Sequence, residues 1–385
     1  MIPAETSWLV DPAAQAVCGA ITAAGFDVFF VGGCVRNAIL DLPDSDVDMS
    51  TNAHPEKVME IAKTAGFRAI PTGIEHGTVT VVVDGNPFEI TTFRRDVATD
   101  GRRAVVAFSD NITDDARRRD FTMNALYATL DGTIVDPLNG MNDLLARRVR
   151  FIEDPDARIK EDYLRILRFF RFSAWYADIS EGFDPEGLAA IAENSAGLET
   201  LSAERIGQEM VKLLSAPDPA PAIAVMRQTG VMSTVLPGSD DRLLPLLVHM
   251  ETAVGLDADW IRRLAVLGGD DPAELFRLSK ADSRALLLIR EIGFAGAPLQ
   301  EIAYRHGARV AQAAMLIRAA LAETVPDYSL LEVIEDAVHA KFPVSASDLM
   351  PDLKGPELGQ KLKELEQRWI TSGFTLGADE LLNRS

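Results

Sequence analysis

The sequence predicts an α+β fold in which a small α/β head precedes an elongated all-α neck, body and tail. Strand and helix patterns alternate through roughly the first 150 residues, and strand patterns nearly vanish after Phe151. A chain of 385 residues is also too long for one compact core. We therefore place the head at 1–150, a helical neck at 151–220 and a helical body and tail at 221–385.

The elements of the head follow from their apolar patterns. Alternation at Val79, Val81 and Val83 predicts a strand with one buried face. The segment EKVMEIAKTAGF has the spacing of an amphipathic helix. Further strands are predicted at FDVFFV (26–31), DVDMS (46–50), FEITTF (88–93) and within DGTIVDPLNG (131–140). The helical part that follows is interrupted by turn-forming segments at 215–222, 236–241 and 350–359.

Charge is distributed unevenly along the chain. A net charge of −20 argues against a general nucleic-acid binder, because affinity for phosphate backbones comes largely from Lys and Arg. Arginines are nevertheless concentrated in one interval, at positions 94, 95, 102, 103, 117, 118, 119, 147, 148, 150, 158, 165, 168 and 171. A basic lining within an acidic protein predicts one focused site for a polyanion.

Cysteine content and hydropathy restrict the class of protein. Two cysteines are too few for a disulfide framework, and their spacing is not that of a metal site. The N-terminal residues lack the basic and apolar regions of a signal peptide, and no apolar run approaches the length of a membrane span. We therefore expect a cytoplasmic protein with no membrane contact.

The segment VGGCVRNAILDLPDSDVDMS, which begins at Val31, is the most informative part of the sequence. An apolar strand runs into Gly32 and Gly33 and then into a helix-like segment. This arrangement favours a phosphate at the helix N-terminus, and Arg36 in the first turn can reach the same anion.

Two carboxylates follow this turn. If Asp46 and Asp48 lie on one strand, they face the same side and repel each other unless a cation lies between them. A phosphate site beside a divalent-metal site predicts phosphoryl or nucleotidyl transfer. The alternative is a glycine turn followed by an acidic loop. Glu89 is the best candidate for a third catalytic carboxylate, with an exposed strand glutamate as its alternative.

The segment ARRRDFTMNALY (116–127) carries a second set of polar residues. Arg119 is suited to grip a triphosphate. Asp120 and Asn124 lie four residues apart on one helical face and are suited to bond ribose hydroxyls. Taken alone, a basic run ending in Asp also fits a solvated helix start.

The segment EDYLRILRFFRFSAW (161–175) predicts one helix with a slanted polar stripe. The stripe comprises Asp162, Arg165, Arg168 and Arg171 at every third residue. Three arginines with one nearby acid predict an anionic ligand, whereas the alternative is a salt-bridged surface stripe. The later segment LSAERIGQEMVKLL is interpreted as a structural brace.

With these residues in hand, the chain resembles the bacterial class II CCA-adding enzymes of the tRNA nucleotidyltransferase and poly(A) polymerase family, over roughly residues 28–215. GGCVRN with DVD resembles the first family motif, whose two aspartates bind magnesium, and this implies Asp46 and Asp48 as Mg²⁺ ligands. RRDFTMNA resembles the ribose-recognising motif, which implies Arg119, Asp120 and Asn124. The fold this implies is a nucleotidyltransferase-type head with a helical neck, body and tail.

Further motifs resemble the family in the same order. EDYLRILRFFRF resembles the motif whose Asp and Arg serve as a protein template for the incoming base, which implies Asp162 and Arg165. DPLNGMNDL resembles the hinge-like motif, and SAERIGQE the motif that stabilises the neck. Asn37 departs from the family, because many members carry Asp at this position.

The resemblance implies template-independent addition of CCA to the 3′ end of tRNA from CTP and ATP, with release of pyrophosphate. Poly(A) polymerases typically carry a GRRF-like stretch after the aspartates, which this chain lacks. The charged, glycine-containing segment 93–108 is suited to a mobile loop that CC-only enzymes tend to lack. The alternatives are a poly(A) polymerase, a partial CC- or A-adding enzyme, and a non-catalytic RNA-binding protein with a relic head.

Overall fold

The computed structural model describes residues 1–43, 45–99, 104–350 and 352–383, and it divides into two compact units. The first unit comprises Met1–Leu213 with Pro221–Val235, and the second comprises Leu214–Ala220 with Leu236–Ser385. The three-part division at 150 and 220 stays a prediction. Arg102 and Arg103 of the arginine-rich interval lie outside the described residues. None of the described helices is long and apolar enough to cross a bilayer.

The strands belong to the first unit. Their bounds are β1 (Val28–Val31), β2 (Asp48–Thr51), β3 (Arg68–Gly73), β4 (Thr78–Val83), β5 (Asn86–Thr92), β6 (Arg94–Thr99), β7 (Ala104–Phe108), β8 (Tyr127–Ala128) and β9 (Ile134–Val135). A mixed sheet runs in the order β3-β4-β5-β2-β1-β8-β9, and β6 pairs with β7 separately. Neighbouring strands are antiparallel except β2 and β5, which are parallel.

The rest of the described chain is largely helical. In chain order the helices are α1 (Ser7–Val10), α2 (Pro12–Ala23), α3 (Gly33–Ile39), α4 (Pro55–Thr64), α5 (Ile112–Arg117), α6 (Gly140–Leu145), α7 (Pro155–Glu161), α8 (Leu164–Tyr176), α9 (Pro185–Asn194), α10 (Ala203–Leu214), α11 (Ala220–Gln228), α12 (Val231–Val235), α13 (Leu244–Ala253), α14 (Trp260–Leu267), α15 (Pro272–Leu275), α16 (Lys280–Gly293), α17 (Leu299–His306), α18 (Ala308–Ala322), α19 (Ser329–His339), α20 (Gly355–Thr371) and α21 (Ala378–Leu381). Short 3₁₀ helices lie at Ile74–His76, Thr122–Asn124, Ile179–Glu181, Ser195–Thr200 and Ala346–Asp348.

The sequence predicted the α+β class and the strands β1, β2, β4, β5 and β9 of the main sheet, but it did not predict β3 or β8, and three local interpretations need correction. Val79, Val81 and Val83 are buried as expected. Asp46, however, precedes β2, which begins only at Asp48. The described part of the segment 93–108 contains the paired strands β6 and β7, where a loop was expected, and the mobility of this segment stays a prediction.

The predicted continuous helix over 161–175 is wrong. Helix α7 ends at Glu161 and α8 begins at Leu164, with Asp162 between them in an extended conformation (φ −157°, ψ 105°). The Asp162 carboxylate accepts the backbone N–H of Leu164 at 3.1 Å. Such a local hydrogen bond from a side chain to the backbone competes with continuation of the helix. The apolar pattern continues through the break, so the sequence pattern alone did not predict the break.

Several helices begin at an Asp-Pro pair. Asp11, Asp154 and Asp184 each accept a backbone N–H from the first turn of α2, α7 and α9, and the proline that follows occupies the first helical position. A proline there loses no hydrogen bond, because the first N–H groups of a helix have no partner within it. The first residues of these three helices are therefore determined by the Asp-Pro pair itself.

An aromatic cluster joins the end of the sheet region to α8 within the first unit. Phe121 lies 5.1 Å from Phe151 and 5.2 Å from Phe172 between ring centroids, and Phe151 stacks on Phe169 at 5.4 Å. The backbones of Phe121 and Phe151 also form an isolated β-bridge. Because Asp120 directly precedes Phe121, this packing fixes Asp120 against α8.

In the second unit, a buried ion-pair triad connects α13 and α14. Glu251 lies 2.7 Å from a guanidinium nitrogen of both Arg262 and Arg263, and all three residues are 2–3% exposed. Arg263 also donates to the carbonyl oxygens of Leu214 and Ala216. Buried charges are tolerated only when they are paired in this way.

We expect Glu251→Ala to lower the free energy of unfolding by about 3–5 kcal/mol, because it leaves two guanidinium groups buried without their carboxylate. The control is Glu364→Ala, which removes an exposed pair with Lys361 and should cost less than about 1 kcal/mol. Urea unfolding of the full chain measures both. Equal effects of the two substitutions would show that the triad does not stabilise the unit.

Candidate active site

The register of the central strands determines where the predicted site residues lie. Val31 pairs with Asp48 across the antiparallel β1 and β2, and Asp48 pairs with Glu89 across the parallel β2 and β5. Gly32 follows β1 directly and has φ 75° and ψ −118°, a conformation that residues with a β-carbon rarely adopt. The chain can therefore turn from β1 into α3 beside Asp48.

This turn forms one side of a cavity of about 620 Å³ in the first unit. The lining includes every predicted nucleotide-binding residue and both predicted metal ligands. It comprises Gly32, Gly33, Arg36, Ser45, Asp46, Asp48, Arg118, Arg119, Asp120, Asn124, Asp162, Leu164, Arg165, Arg168, Arg171, Phe172 and Arg205. Residues more than 150 positions apart thus meet around one space, and Glu89 lies beside Asp48 outside this lining.

The carboxylates at the cavity have the chemistry of a site for a hard cation. The pKa of Asp48 is raised, first because nearby protein removes part of its hydration and then because Glu89 is negatively charged. Arg119 acts in the opposite direction, and the charge of Asp46 adds to the rise. A divalent cation would relieve this repulsion, and Mg²⁺ is commonly bound by one or two carboxylates together with substrate phosphates. Asp46 and Asp48 therefore fit such an ion.

Glu89 does not complete a three-carboxylate group. Among the described residues, no three or more His, Cys, Asp or Glu side chains are arranged to hold a metal. The register nevertheless places Glu89 next to Asp48, as expected for a neighbouring strand. Its catalytic role stays a prediction.

Asp115, which the sequence interpretation overlooked, holds the arginines of the RRD segment. Its carboxylate is fully buried and accepts from Arg118 at 2.7 Å, Arg119 at 3.1 Å and the hydroxyl of Tyr127 at 2.8 Å. Burial alone would raise the pKa of Asp115, but the two arginines and this hydroxyl outweigh burial and lower it to about 2. Nη1 of Arg119 keeps no hydrogen-bond partner among the described residues, and it lies near Gly32.

Arg36 is more deeply buried than the sequence suggested, and protein groups surround it. Its guanidinium donates to Asn124 Oδ1 at 2.5 Å, to the Tyr176 hydroxyl at 2.8 Å and to Asn37 Oδ1. It also lies over the Tyr176 ring, 4.1 Å from the centroid. Burial lowers the pKa of Arg36. Asn37 uses both ends of its amide, because its nitrogen donates to the carbonyl of Pro43 at 2.7 Å.

Asp120, Asn124 and Arg168 form one hydrogen-bonded group. Asp120 accepts from Asn124 at 2.9 Å and from the backbone N–H of Phe121 at 2.8 Å through one oxygen. Through the other oxygen it accepts from Nε of Arg168 at 2.7 Å, and Nη2 of Arg168 lies 2.5 Å from the same oxygen as an ion pair. These contacts outweigh burial and lower the pKa of Asp120 to about 2. The three hydrogen bonds occupy three of the four acceptor positions of the carboxylate, whereas Asn124 keeps one N–H and one lone pair.

The arginines of α8 are each paired with a carboxylate, so the expectation of one nearby acid was wrong. Arg165 pairs with Glu161, Arg168 with Asp120, and Arg171 with Glu209 at 2.6 Å. Two of these partners lie on other parts of the chain. Sequence proximity alone therefore undercounted the acids.

Asp162 also has a partner from another helix. It accepts from Arg205 of α10 at 2.6 Å, and Arg165 donates to the carbonyl of Arg118 at 3.1 Å. Arg205 and Glu209 both belong to the segment that we interpreted as a structural brace. Their spacing of four residues places both side chains on one helical face, and this spacing was the feature of the sequence that could have identified them as partners of the site.

Comparison with known proteins places this chain in a family. A model described as the poly A polymerase head domain matches residues 28–150, and one described as a probable RNA and SrmB-binding site of polymerase A matches 182–243. The mitochondrial CCA tRNA nucleotidyltransferase 1 of Homo sapiens is 33% identical over 376 residues, covering 91% of this chain and 85% of that protein. The chain belongs to the family of CCA-adding tRNA nucleotidyltransferases.

A bacterial relative and a solved structure agree with this membership. The CCA-adding enzyme of Leuconostoc citreum is 31% identical over 399 residues, covering 96% of this chain and 94% of that protein. The crystal structure of the Bacillus stearothermophilus CCA-adding enzyme in complex with CTP has a TM-score of 0.70 and 26% identity, covering 94% and 92% of the two chains. The predicted family and α+β class are confirmed, and membership implies dependence on a divalent metal.

We expect Asp115→Asn to destabilise the protein at neutral pH, and the loss should shrink in acid. The carboxylate has a pKa of about 2 when folded, against an ordinary value of 3.8, so its stabilisation is present above about pH 5 and is lost as pH falls towards 2. The shrinkage should be on the order of 2 kcal/mol in urea unfolding between pH 7 and pH 2.

The control is Asp84→Asn in an exposed turn, which should change the free energy of unfolding by less than about 0.5 kcal/mol at every pH. A gap between wild type and Asp115→Asn that stays constant with pH would contradict the depressed pKa of Asp115.

Proposed function

We propose that this protein adds CCA to the 3′ end of tRNA from CTP and ATP without a nucleic-acid template and releases pyrophosphate. The observation that carries the proposal is that Asp46 and Asp48 line the same cavity as the carboxylate-paired arginines of α8. Family membership supports the same activity, since the chain spans most of the length of CCA-adding relatives. We place the reaction in the cytoplasm.

Asp46 and Asp48 would hold Mg²⁺ at this cavity. When bound, the ion supplies Lewis-acid activation of the attacking hydroxyl and neutralises charge on the reacting phosphate. The carboxylates themselves are acceptors only, so they orient the ion and cannot bond the triphosphate directly. We propose Glu89 as a further catalytic carboxylate, whose negative charge beside Asp48 would strengthen the attraction of this strand end for the cation.

Cationic groups that line the same cavity would hold the triphosphate. Nη1 of Arg119 has an N–H that is not used by described residues, and it lies 3.4 Å from the position that a β-carbon on Gly32 would take, so a phosphate bound there would lie close to the glycine backbone. Arg168 and Arg171 line the same cavity and supply positive charge that is already fixed by Asp120 and Glu209. Fixed charges stabilise a transition state without reorganising during the reaction.

Ribose recognition would fall mainly to Asn124. Its remaining N–H and lone pair match a hydroxyl, which both donates and accepts. Asp120 would act mainly by holding Asn124 and Arg168, because three of its four acceptor positions are already occupied. Arg36 would contribute in the same indirect way through its bond to Asn124.

Base choice would depend on Asp162 and Arg165, which line the cavity from the α7–α8 junction. Cytosine and adenine both present an amino donor beside a ring-nitrogen acceptor, which complements a carboxylate beside a guanidinium. Uracil and guanine present the reverse pattern, so like groups would face each other. Arg205 would hold the Asp162 carboxylate in position.

The decisive experiment uses tRNA that lacks its 3′-terminal CCA, with CTP, ATP and Mg²⁺, and sequences the product ends. We expect CCA ends with wild type. The Asp46→Ala/Asp48→Ala double variant should incorporate no nucleotide and keep its affinity for tRNA, because the two carboxylates that it lacks would bind the metal and not the tRNA.

Other products would overturn the proposal in defined ways. Ends of adenosine alone would indicate a poly(A) polymerase, and CC or a lone A would indicate a partial enzyme. No incorporation by wild type would indicate an RNA-binding protein with a relic head. Appreciable incorporation by the double variant would refute the metal assignment.

We expect Asp162→Ala or Arg165→Ala to lower discrimination of CTP over UTP by roughly tenfold or more, as judged by kcat/KM for single additions. Arg168→Ala should weaken all four nucleotides by similar factors, as expected of a phosphate contact. The control is Asp156→Ala, which removes an exposed pair with Lys160 on α7 and should preserve discrimination. Unchanged discrimination in Asp162→Ala would remove it from base recognition.

A further inference from the structure

Ser45 has an unusual environment for a serine. It directly precedes Asp46 and lines the same cavity, and its Oγ is closed to solvent with no hydrogen-bond partner among the described residues. A β-carbon placed on Gly33 would lie 2.7 Å from this oxygen, so Ser45 packs directly on the glycine turn. Buried hydroxyls in folded proteins are normally paired, and an exception beside a binding cavity calls for an explanation.

The surroundings of Ser45 indicate which partner is missing. Arg36 Nη2 comes within 3.8 Å of the same β-carbon position on Gly33, and Arg119 Nη1 comes within 3.4 Å of the equivalent position on Gly32. A hydroxyl donor and two guanidinium groups therefore surround the two glycines. Donors and positive charge together favour an anionic oxygen at this point.

The hydroxyl is free to reach such an oxygen. Because Oγ has no hydrogen bond to lose, rotation about the Cα–Cβ bond to another staggered position, to meet a ligand, would break no hydrogen bond. The glycine at position 33 provides the space that the present position of Oγ requires. The ligand-free protein therefore keeps an uncommitted donor beside the predicted metal ligands.

We propose that Ser45 is a nucleotide-binding residue whose hydroxyl donates a hydrogen bond to a non-bridging oxygen of the nucleotide triphosphate. This inference rests on the proposed function and adds a residue to it. A bond from a hydroxyl to an ionised phosphate is roughly twice as strong as one between neutral groups. Its loss should weaken nucleotide binding without altering base choice, because the base would be contacted elsewhere in the cavity.

The test is equilibrium binding of CTP, ATP and cytidine to the full chain with Mg²⁺ and without tRNA. Ser45→Ala should raise the Kd of CTP and of ATP by the same factor, about tenfold. The Kd of cytidine, which has no phosphate, should not change. Ser45→Cys, which keeps the size of the side chain but donates weakly, should behave as Ser45→Ala does.

Thermal melting separates this role from a structural one. Because the buried hydroxyl makes no bond, ligand-free Ser45→Ala should melt at or above the Tm of wild type, whereas the rise in Tm caused by CTP should shrink. The control is Ser180→Ala, whose hydroxyl bonds Asp178 on an exposed 3₁₀ helix, and it should bind CTP as wild type does.

Each remaining outcome overturns the inference in a recognisable way. If wild type binds CTP and extends tRNA but Ser45→Ala binds CTP equally well, the serine contact is wrong and the proposed function stands. An equal loss of affinity for cytidine and CTP would assign Ser45 to the shape of the cavity instead. If wild type neither binds CTP nor extends tRNA, both the contact and the proposed function fail.

Discussion

The pairing of arginines with carboxylates is the interaction on which the candidate site depends. Arg168 on Asp120, Arg171 on Glu209 and Arg119 on Asp115 are held at 2.5–3.1 Å, and each of these carboxylates is at most 7% exposed. Without these carboxylates, the neighbouring arginines would repel each other and destabilise the fold around them. The carboxylates offset that repulsion and fix the direction in which the remaining N–H groups point.

This arrangement reconciles an acidic chain with a site for a polyanion. The net charge of −20 describes the whole chain, whereas the cavity combines a few carboxylates suited to a metal with arginines from several elements. The sheet register determines one side of it, because the positive φ of Gly32 brings the start of α3 beside Asp48. The aromatic packing of Phe121 determines the other side, because it holds Asp120 against α8.

Site residues could be predicted from the sequence where they belong to one short motif. They could not be predicted where their hydrogen-bond or ion-pair partners come from distant segments. The glycine turn, the aspartates of DVD and the arginines of α8 were predicted, and all line the cavity. Asp115 was missed, although it lies three and four residues before Arg118 and Arg119, a spacing that predicts ion pairs on one helical face.

Other features depended on long-range contacts or on backbone detail. Glu209 pairs with an arginine 38 residues earlier in the chain, and no local pattern relates the two. The break between α7 and α8 depends on the Asp162 carboxylate bonding a nearby backbone N–H, while the apolar periodicity continues across it. Ser45 carried no signal in the sequence, because its significance lies in a hydrogen bond that it does not make.

The cavity is arranged before the nucleotide arrives, with Asp120 committed to Arg168 and Asn124. A crystal structure with Mg²⁺ and a non-hydrolysable CTP analogue is the sharpest test of this preorganisation. We expect Asp120 to keep both partners, Asn124 to bond the ribose and the phosphates to lie between Gly33 and Arg119. A structure in which Asp120 has left Arg168 to bond the ribose itself would contradict it.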